Sequence, residues 1–235
     1  MEGKGMKLID LSRVISHREA SNPGAIPPQV WEWRSHEETK SLHNSPHSSA
    51  NRLLIMQDHA STHVDAPLHF DSDPDAPDIA SMPLERFYGP AICIDVSQTA
   101  IAEWIDVDDI QRSMANDGLT FDGAEIVLLH SGHYERTYPR PEFFNEYPGM
   151  TADAARWLAD QGVRNFGVEG PNPGHPSDKD FWVHVVCQET GMIHMEGLVI
   201  PAELAGQRFT FVGFPLKIEN GSGSPIRAVA VIEER

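Results

Sequence analysis

The sequence has few cysteines, few basic residues and no long hydrophobic run. Only two of its 235 residues are cysteines, which excludes a disulfide-stapled extracellular fold and predicts a reducing, cytoplasmic location. The chain has 18 lysines and arginines but 35 aspartates and glutamates, which gives a formal charge of -17. This excess argues against nucleic acid and anionic membranes as partners, because both select basic surfaces. The chain has no apolar run of about 18 residues, so no membrane span is predicted. The N-terminus lacks the apolar core of a secretory signal.

Three common catalytic motifs are also missing. The chain contains no Gly-x-Ser-x-Gly elbow, no Gly-x-x-x-x-Gly-Lys-Ser/Thr loop and no Gly-x-Gly-x-x-Gly turn. A serine hydrolase and a nucleotide-binding protein therefore have no support. The remaining expectation is a soluble protein that handles a small molecule, with a bound divalent cation reducing its negative charge.

The distribution of apolar residues predicts many short elements, since 18 prolines and 18 glycines interrupt the chain. Short apolar or β-branched segments bounded by turn residues predict strands at 53–56, 91–96, 126–129, 163–168, 209–214 and 227–232. Two helices are predicted, one over 107–114 capped by Asp106 and one over 152–160 capped by Thr151. The strand–helix–strand order between 126 and 168 indicates a crossover unit. We therefore expect one mixed α/β domain over residues 1–235.

Two stretches carry little signal for helix or strand and are predicted as loops. Residues 17–50 are rich in His, Ser, Pro and Glu, and they contain Trp31 and Trp33. Residues 71–83 hold four aspartates among three prolines. We interpret the second stretch as a solvated acidic loop, because it lacks the glycine and distal glutamate of a calcium-binding loop.

The segment from residue 59 to residue 69 concentrates side chains that bind metals. Its three imidazoles and one carboxylate are His59, His63, His69 and Asp65. Neutral nitrogen combined with a charged oxygen suits zinc, manganese or iron(II). His63 and Asp65 would share one side of an extended strand, but His59 would then lie about 13 Å from His63. The chain must therefore coil between His59 and His63 for both to reach one ion, because an i, i+4 pair meets on a helical turn. The alternative is a histidine-rich surface loop.

A second candidate pair, His184 and Glu196, lies further along the chain. Apolar neighbours predict that both are partly buried, where a charge needs a partner or a metal. Cys187, Glu189 and His194 compete for such a role in the same window. Taken alone, His184 is more often a hydrogen-bonded core histidine than a ligand.

The string His-x-x-Thr-His-x-Asp-x-Pro-x-His, followed far downstream by a His with Glu twelve positions later, resembles the cyclase family. That family of metal-dependent hydrolases includes bacterial kynurenine formamidases and isatin hydrolases. The resemblance covers nearly the whole chain. Residues 10–12 look like the family's opening strand, 148–150 like its Pro-Gly turn, and 214–218 with 223–230 like its closing segment. It implies a cyclase-like fold of the swivelling β/β/α type with many short strands.

The resemblance also implies a ligand set. His59, His63 and Asp65 would bind a first divalent cation, zinc or manganese. Asp65 would bridge to a second cation held by His184 and Glu196. Since relatives differ in this respect, one or two ions are expected.

Further roles follow from the same resemblance. His69 would be the catalytic acid/base, and Trp31 or Trp33 would line the substrate pocket, although either tryptophan could equally anchor its loop. The implied reaction is hydrolysis of a C–N amide bond in an N-formyl arylamine, such as N-formylkynurenine, or in a cyclic amide, such as isatin. Two alternatives stay open, a metal-dependent cyclase or lyase acting on a polyketide-like or hydroxy-acid substrate and a non-catalytic metal-binding protein. A homo-oligomer, a dimer or a tetramer, is also implied.

The sequence departs from the family pattern at three places. Ser61 stands where the family usually has glycine, Glu169 replaces the usual aspartate, and residues 130–133 differ from the more usual Arg-Thr-Gly. None of these changes removes an implied metal ligand, so they bear on the identity of the substrate rather than on metal binding.

Overall fold

The structure, a computed structural model, describes residues 5–43, 46–99 and 102–233. Its strands are β1 (Met6–Asp10), β2 (Gln29–Arg34), β3 (Asn51–Ile55), β4 (His63–Asp65), β5 (Tyr88–Asp95), β6 (Trp104–Ile105), β7 (Ile126–His130), β8 (Gly149–Met150), β9 (Asn165–Val168), β10 (Ile193–Glu196), β11 (Arg208–Val212), β12 (Gly223–Pro225) and β13 (Val229–Glu233). Its α-helices are α1 (His36–His43), α2 (Pro67–Phe70), α3 (Val107–Asp117), α4 (His133–Thr137), α5 (Glu142–Asn145), α6 (Ala152–Asp160) and α7 (Trp182–Thr190). Two short 3-10 helices cover Leu84–Arg86 and Ala202–Leu204.

Nine strands form one curled sheet in the order β1-β13-β11-β5-β7-β9-β10-β4-β12. The four central strands β5, β7, β9 and β10 are parallel, whereas every other pairing in this sheet is antiparallel. Parallel neighbours need a crossover, and α3, α6 and α7 each lie between two consecutive parallel strands. The predicted crossover unit is therefore confirmed as β7-α6-β9, and the mixed α/β fold is confirmed with it.

Alternating side chains of the sheet build two hydrophobic cores, one on each face. On β5, Ala91 and Cys93 belong to one core, while Ile92 and Ile94 belong to the core beneath the helices. All five residues of β7 are buried, as expected for a strand covered on both faces. Each fully buried Ile, Leu or Phe side chain contributes about 1.5–3 kcal/mol, so this double burial stabilises the central strands most.

Both predicted helices begin at their predicted caps. The Asp106 carboxylate accepts a hydrogen bond from the backbone N–H of Asp109, and the Asp109 side chain completes a capping box. Thr151 accepts from the backbone N–H of Ala154 at 3.1 Å. Helix α3 continues three residues beyond the predicted end, to Asp117, because Gly118 provides the left-handed stop (φ 64°).

The prediction that residues 17–50 form a loop is wrong in part, because this stretch contains β2 and α1. Among the described residues, strand β2 pairs with β3 alone, and we call this two-stranded ribbon the β2–β3 arm (residues 29–34 and 51–55). Both strands are largely exposed, so the sequence shows no alternation of apolar and polar residues to reveal β2. Residues 71–83 contain no helix or strand, as predicted.

The other predicted strands are confirmed at β3, β5, β7, β9, β11 and β13, with shifts of a few residues at their ends. The expected opening strand over 10–12 instead ends at Asp10. Within the described residues, no helix combines the length and the hydropathy needed to cross a membrane.

Candidate metal centre

Two neighbouring antiparallel strands form the floor of the candidate site. His63 of β4 lies opposite Glu196 of β10, and Val64 lies opposite Met195. Since successive residues of a strand point to opposite faces, Val64 and Met195 enter a hydrophobic core. The side chains on the other face are those of His63, Asp65, His194 and Glu196, and all four are buried. The prediction that His63 and Asp65 share one side of a strand is confirmed.

His59 reaches the same place through a sharp bend. Ser61 adopts the left-handed backbone conformation (φ 61°), which turns the chain between His59 and His63 without a helical turn. The His59 Nδ1 atom then lies 2.8 Å from Asp65 Oδ1. Gly223 makes room for the ring, because a Cβ there would lie 2.8 Å from His59 Cε1.

Two helices bring the remaining imidazoles. Pro67 begins α2, a position that suits its lack of an N–H, and His69 on this helix places Nε2 3.7 Å from Asp65 Oδ2. His184 lies on α7, with its ring 4.7 Å from the ring of His194 in an edge-on contact. Residues distant in sequence therefore converge on Asp65.

The distances around the two carboxylates are short. His63 Nε2 lies 3.3 Å from Asp65 Oδ1 and 3.4 Å from Glu196 Oε2. Two groups of ligand atoms, each within 4.8 Å of one another, are formed by Asp65, His184, His194 and Glu196 and by His59, Asp65 and His69. Asp65 belongs to both groups, which is the arrangement that a bridging carboxylate requires. The predicted ligand His63 belongs to neither group, whereas His69, the predicted acid/base, completes the second one.

Buried polar atoms at the centre of the site are poorly satisfied by the protein. Within the described part of the chain, His184 Nδ1 has no hydrogen-bond partner, while Asp65 Oδ1 and His194 Nε2 have close imidazole or carboxylate neighbours, at 2.8 and 3.1 Å, without an aligned hydrogen bond. Buried polar atoms are normally hydrogen-bonded, so these three atoms fit donors to a cation. Imidazole nitrogens and carboxylate oxygens are donors that zinc, manganese and iron(II) accept. The residues present therefore fit a divalent cation.

The outward nitrogens of two histidines are anchored in the way that metal ligands usually are. His59 Nε2 contacts Ser222 Oγ at 2.8 Å, and Ser222 in turn donates to Asp58. His63 Nδ1 lies 3.1 Å from the carbonyl oxygen of Ser61. Such partners fix the ring orientation and the tautomer of a ligating histidine.

The electrostatics of the floor favour a positive charge. Burial raises the pKa of Asp65, but His194, His59 and His63 outweigh it and hold that pKa well below its usual range. Burial opposes protonation of His194, yet Asp65 raises its pKa well above the usual value. The buried carboxylates thus demand a compensating cation, which a protonated imidazole or a divalent metal ion can supply.

Two other imidazoles are held neutral at pH 7. Burial, with a contribution from His194, lowers the pKa of His184 to about 3. Burial also lowers the pKa of His69, against the attraction of Asp65. A neutral imidazole can ligate a metal or accept a proton.

A cavity of about 490 Å³ opens above this floor. Its volume lies in the range of small-molecule sites. Phe70, Phe181 and Val185 supply its apolar wall. Phe181 is half exposed and has left-handed backbone geometry (φ 54°), which a non-glycine residue adopts only at some cost.

The predicted site residues divide into two sets. All six predicted ligand and acid/base residues line the cavity: His59, His63, Asp65, His69, His184 and Glu196. The predicted pocket tryptophans do not, since Trp31 and Trp33 lie on the exposed β2–β3 arm of the chain. Trp31 lies near His17, and Trp33 borders a separate surface cavity beside α1.

The apolar wall and His194 were not selected from the sequence. His194 stands two residues before Glu196, so the alternation rule that joined His63 to Asp65 could have joined this pair as well. No comparable pattern marks Phe70 or Phe181, because their positions depend on how α2 and α7 pack.

Glu169 and Ser131, which depart from the family pattern, contact each other and nearby backbone rather than the cavity. The Glu169 carboxylate is buried and accepts hydrogen bonds from the Ser131 N–H (2.7 Å), the Ser131 hydroxyl (2.5 Å) and the His133 N–H (3.1 Å). Burial raises the pKa of Glu169 despite these bonds. His130 Nδ1 lies 3.0 Å from the carbonyl oxygen of Ile200. Glu169, Ser131 and His130 therefore stabilise the ends of β7 and β9.

Comparisons with known proteins agree with this geometry. A kynurenine formamidase from Salinibacter ruber is 33% identical over 225 residues, covering 95% of this chain and 97% of that protein. A kynurenine formamidase from Bacillus mycoides is 29% identical over 226 residues, covering 96% and 98%. Isatin hydrolase A from Labrenzia aggregata has the same fold, with a TM-score of 0.83 at 23% identity over 97% of this chain and 94% of that one.

The family comparison covers most of the sequence. The model named Cyclase, with the description "Putative cyclase", matches residues 9–175. This match includes the whole segment from His59 to His69, and the formamidase relatives extend the similarity over nearly the full length. The chain belongs to the cyclase family.

Proposed function

We propose that this protein is a metal-dependent hydrolase that cleaves a C–N amide bond of a small molecule other than a peptide. The observation that carries the proposal is Asp65, a buried carboxylate shared by two groups of metal-binding side chains at the floor of a 490 Å³ cavity. The kynurenine formamidase relatives supply the reaction class.

His59, His63, Asp65, His184 and Glu196 would hold the cation. A bound divalent cation lowers the pKa of water towards about 7 and polarises a carbonyl group. Two cations can be accommodated because Asp65 lies in both donor groups, and zinc or manganese suits donors that are all nitrogen and oxygen.

His69 would move the proton. Its ring is neutral at pH 7, it borders the cavity, and its Nε2 atom lies 3.7 Å from the Asp65 carboxylate, which can orient it. The imidazole would take a proton from the attacking water and deliver it to the departing amine. Water adds across the C–N bond, so the products are a carboxylate and an amine.

The apolar wall suggests an aromatic substrate. Phe70 and Phe181 can pack against an aryl ring, and such contacts contribute about 0.5–1.5 kcal/mol each. We therefore expect an N-formyl arylamine such as N-formylkynurenine, or a cyclic amide such as isatin.

Elemental analysis combined with a substrate panel tests the proposal. The purified protein should contain zinc or manganese and should hydrolyse N-formylkynurenine, isatin or a simple aryl amide. Product masses separate hydrolysis, which adds water, from cyclisation or dehydration, which releases it. A metal-free protein, or a metal-loaded protein with no turnover on the panel, would contradict the proposed activity.

The β2–β3 arm supports a homo-oligomer. Its exposed apolar side chains are those of Trp31, Trp33, Leu53, Leu54 and Ile55. An exposed apolar patch of this kind is typical of an interface. We expect a dimer or a tetramer by light scattering, and a Leu54→Asp variant should shift the mass towards that of one chain.

A cytoplasmic location is consistent with the two buried, unpaired cysteines.

A further inference from the structure

We infer that His194 is a fourth protein ligand of the cation held by Asp65, His184 and Glu196, and that Cys187 orients its ring. The inference rests on the proposed function only in requiring that a divalent cation binds at Asp65. It concerns a residue outside the ligand set that the family resemblance implies.

Two distances from His194 match the spacing of donors around one cation. His194 Nε2 lies 3.1 Å from Asp65 Oδ2 and 3.3 Å from Glu196 Oε1. In a tetrahedron with metal–ligand bonds of about 2.1 Å, neighbouring ligand atoms are about 3.4 Å apart. Both distances are close to that edge length, and the donor atoms of Asp65, His184, His194 and Glu196 all lie within 4.8 Å of one another.

The His194 ring is held in one orientation. It has no exposed surface, and it stacks between Phe70 (5.9 Å, 25°) and Phe166 (5.6 Å, 26°). Its Nδ1 atom lies 3.7 Å from Cys187 Sγ. Nε2 therefore points at the two carboxylates.

His194 shares its arrangement with the implied ligands His59 and His63. In all three rings one nitrogen faces the Asp65 carboxylate and the other is anchored by a polar partner. The anchors are Ser222 for His59, the Ser61 carbonyl for His63 and Cys187 for His194. This pairing of a metal-facing and an anchored nitrogen is typical of ligating histidines.

A fourth protein donor has a chemical consequence. Structural zinc sites are closed by four protein ligands, whereas catalytic sites keep one position for water. The site at His184, His194 and Glu196 would thus be closed. The reactive water would then lie on the other side of Asp65, beside His59 and His69, whose side chains are 23% and 39% exposed.

Cobalt titration of the metal-free full-length chain tests this inference. Cobalt(II) reports its coordination through its visible absorption, so stoichiometry, affinity and geometry are measured together. Wild type should show a strongly absorbing four-coordinate site. His194→Ala should weaken that site at least about 100-fold and remove its absorption, whereas Cys187→Ala should weaken it about 10-fold. His133→Asn, which alters another fully buried histidine, should titrate like wild type.

A competing role for His194 predicts the opposite result. If its protonated ring only compensates the carboxylates, His194→Ala removes a competing positive charge, and cobalt should bind as tightly as in wild type or more tightly. An unchanged affinity and spectrum would overturn the inference. His194→Gln, which keeps most of the side-chain volume, serves if the alanine variant fails to fold, and circular dichroism in chelator checks both.

The outcome is separable from that of the proposed activity. If the wild-type protein hydrolyses amides, while the His194→Ala variant keeps its full cobalt content, only the ligand inference is contradicted. If the wild-type protein hydrolyses no amide, while the His194→Ala variant binds one cobalt ion fewer than wild type, only the proposed reaction is contradicted.

Discussion

The floor and the rim of the cavity differ in construction. The floor consists of side chains on β4 and β10, and its two carboxylates, Asp65 and Glu196, are 1% and 6% exposed. The rim consists of cavity residues outside the implied ligand set, on α2, on α7 and in the turn before α7, namely His69, Phe70, Phe181 and Val185. Of these, Phe181 is 54% exposed. Strand pairing therefore positions the two carboxylates, whereas the side chains that can contact a substrate are held by short helices and turns.

The contrast indicates a division of labour. Buried carboxylates cost free energy unless a cation compensates them, so changes in the floor should alter metal binding. Rim residues can contact a substrate without contacting the metal, so changes there should alter turnover or substrate affinity. Four substitutions test this division, and they are ordered by the size of the change that we expect.

Asp65→Asn should have the largest effect. Both donor groups contain this carboxylate, so the amide should abolish metal retention and reduce hydrolysis below detection. Elemental analysis after dialysis measures the loss. Asp10→Asn is the matched control, since Asp10 pairs with Arg227 on the exposed surface and should retain full metal content. Metal retained in Asp65→Asn would break the distinction between floor and rim.

His69→Ala should leave the metal content unchanged and lower kcat by about 10²–10⁴-fold, the usual contribution of a positioned acid/base. Its Nε2 atom lies close enough to Asp65 that direct ligation is the competing role. Loss of metal together with activity would move His69 from the rim to the ligand set.

Phe181→Ala should raise KM by about 2–10-fold with little change in kcat, which corresponds to the loss of about 0.5–1.5 kcal/mol of aromatic contact. Trp33→Ala provides the comparison, because Trp33 lies on the β2–β3 arm and does not line the cavity. A rise in KM for Trp33→Ala instead would mean that the arm of a second copy completes the rim.

Ser61→Gly should have the smallest effect. Ser61 forms the bend before β4 with φ 61°, a conformation that costs an ordinary residue about 1–2 kcal/mol and glycine little. Since glycine also gains entropy in the unfolded chain, the free energy of unfolding should rise by at most about 1 kcal/mol. Urea denaturation of the metal-free protein measures it. A decrease would show that the serine side chain stabilises the bend.

Much of the fold followed from local patterns. The caps Asp106 and Thr151 predicted where α3 and α6 begin, because capping depends on neighbouring residues only. Exposed β2 was missed, because a strand that buries neither face leaves no alternation in the sequence. The family motif led to the six cavity residues, whereas Trp31 and Trp33, which were expected at the substrate pocket, lie on the arm and do not line the cavity of the same chain.

Residue types along the chain were enough to predict the available chemistry and its local spacing: imidazoles and carboxylates in a short segment, with His63 and Asp65 on one side of a strand. The partners of these groups emerged only in the folded chain, through the pairing of β4 with β10 and the packing of α2 and α7 around Asp65. Spacing along a chain is local, whereas burial and the convergence of charges depend on contacts between residues more than a hundred positions apart.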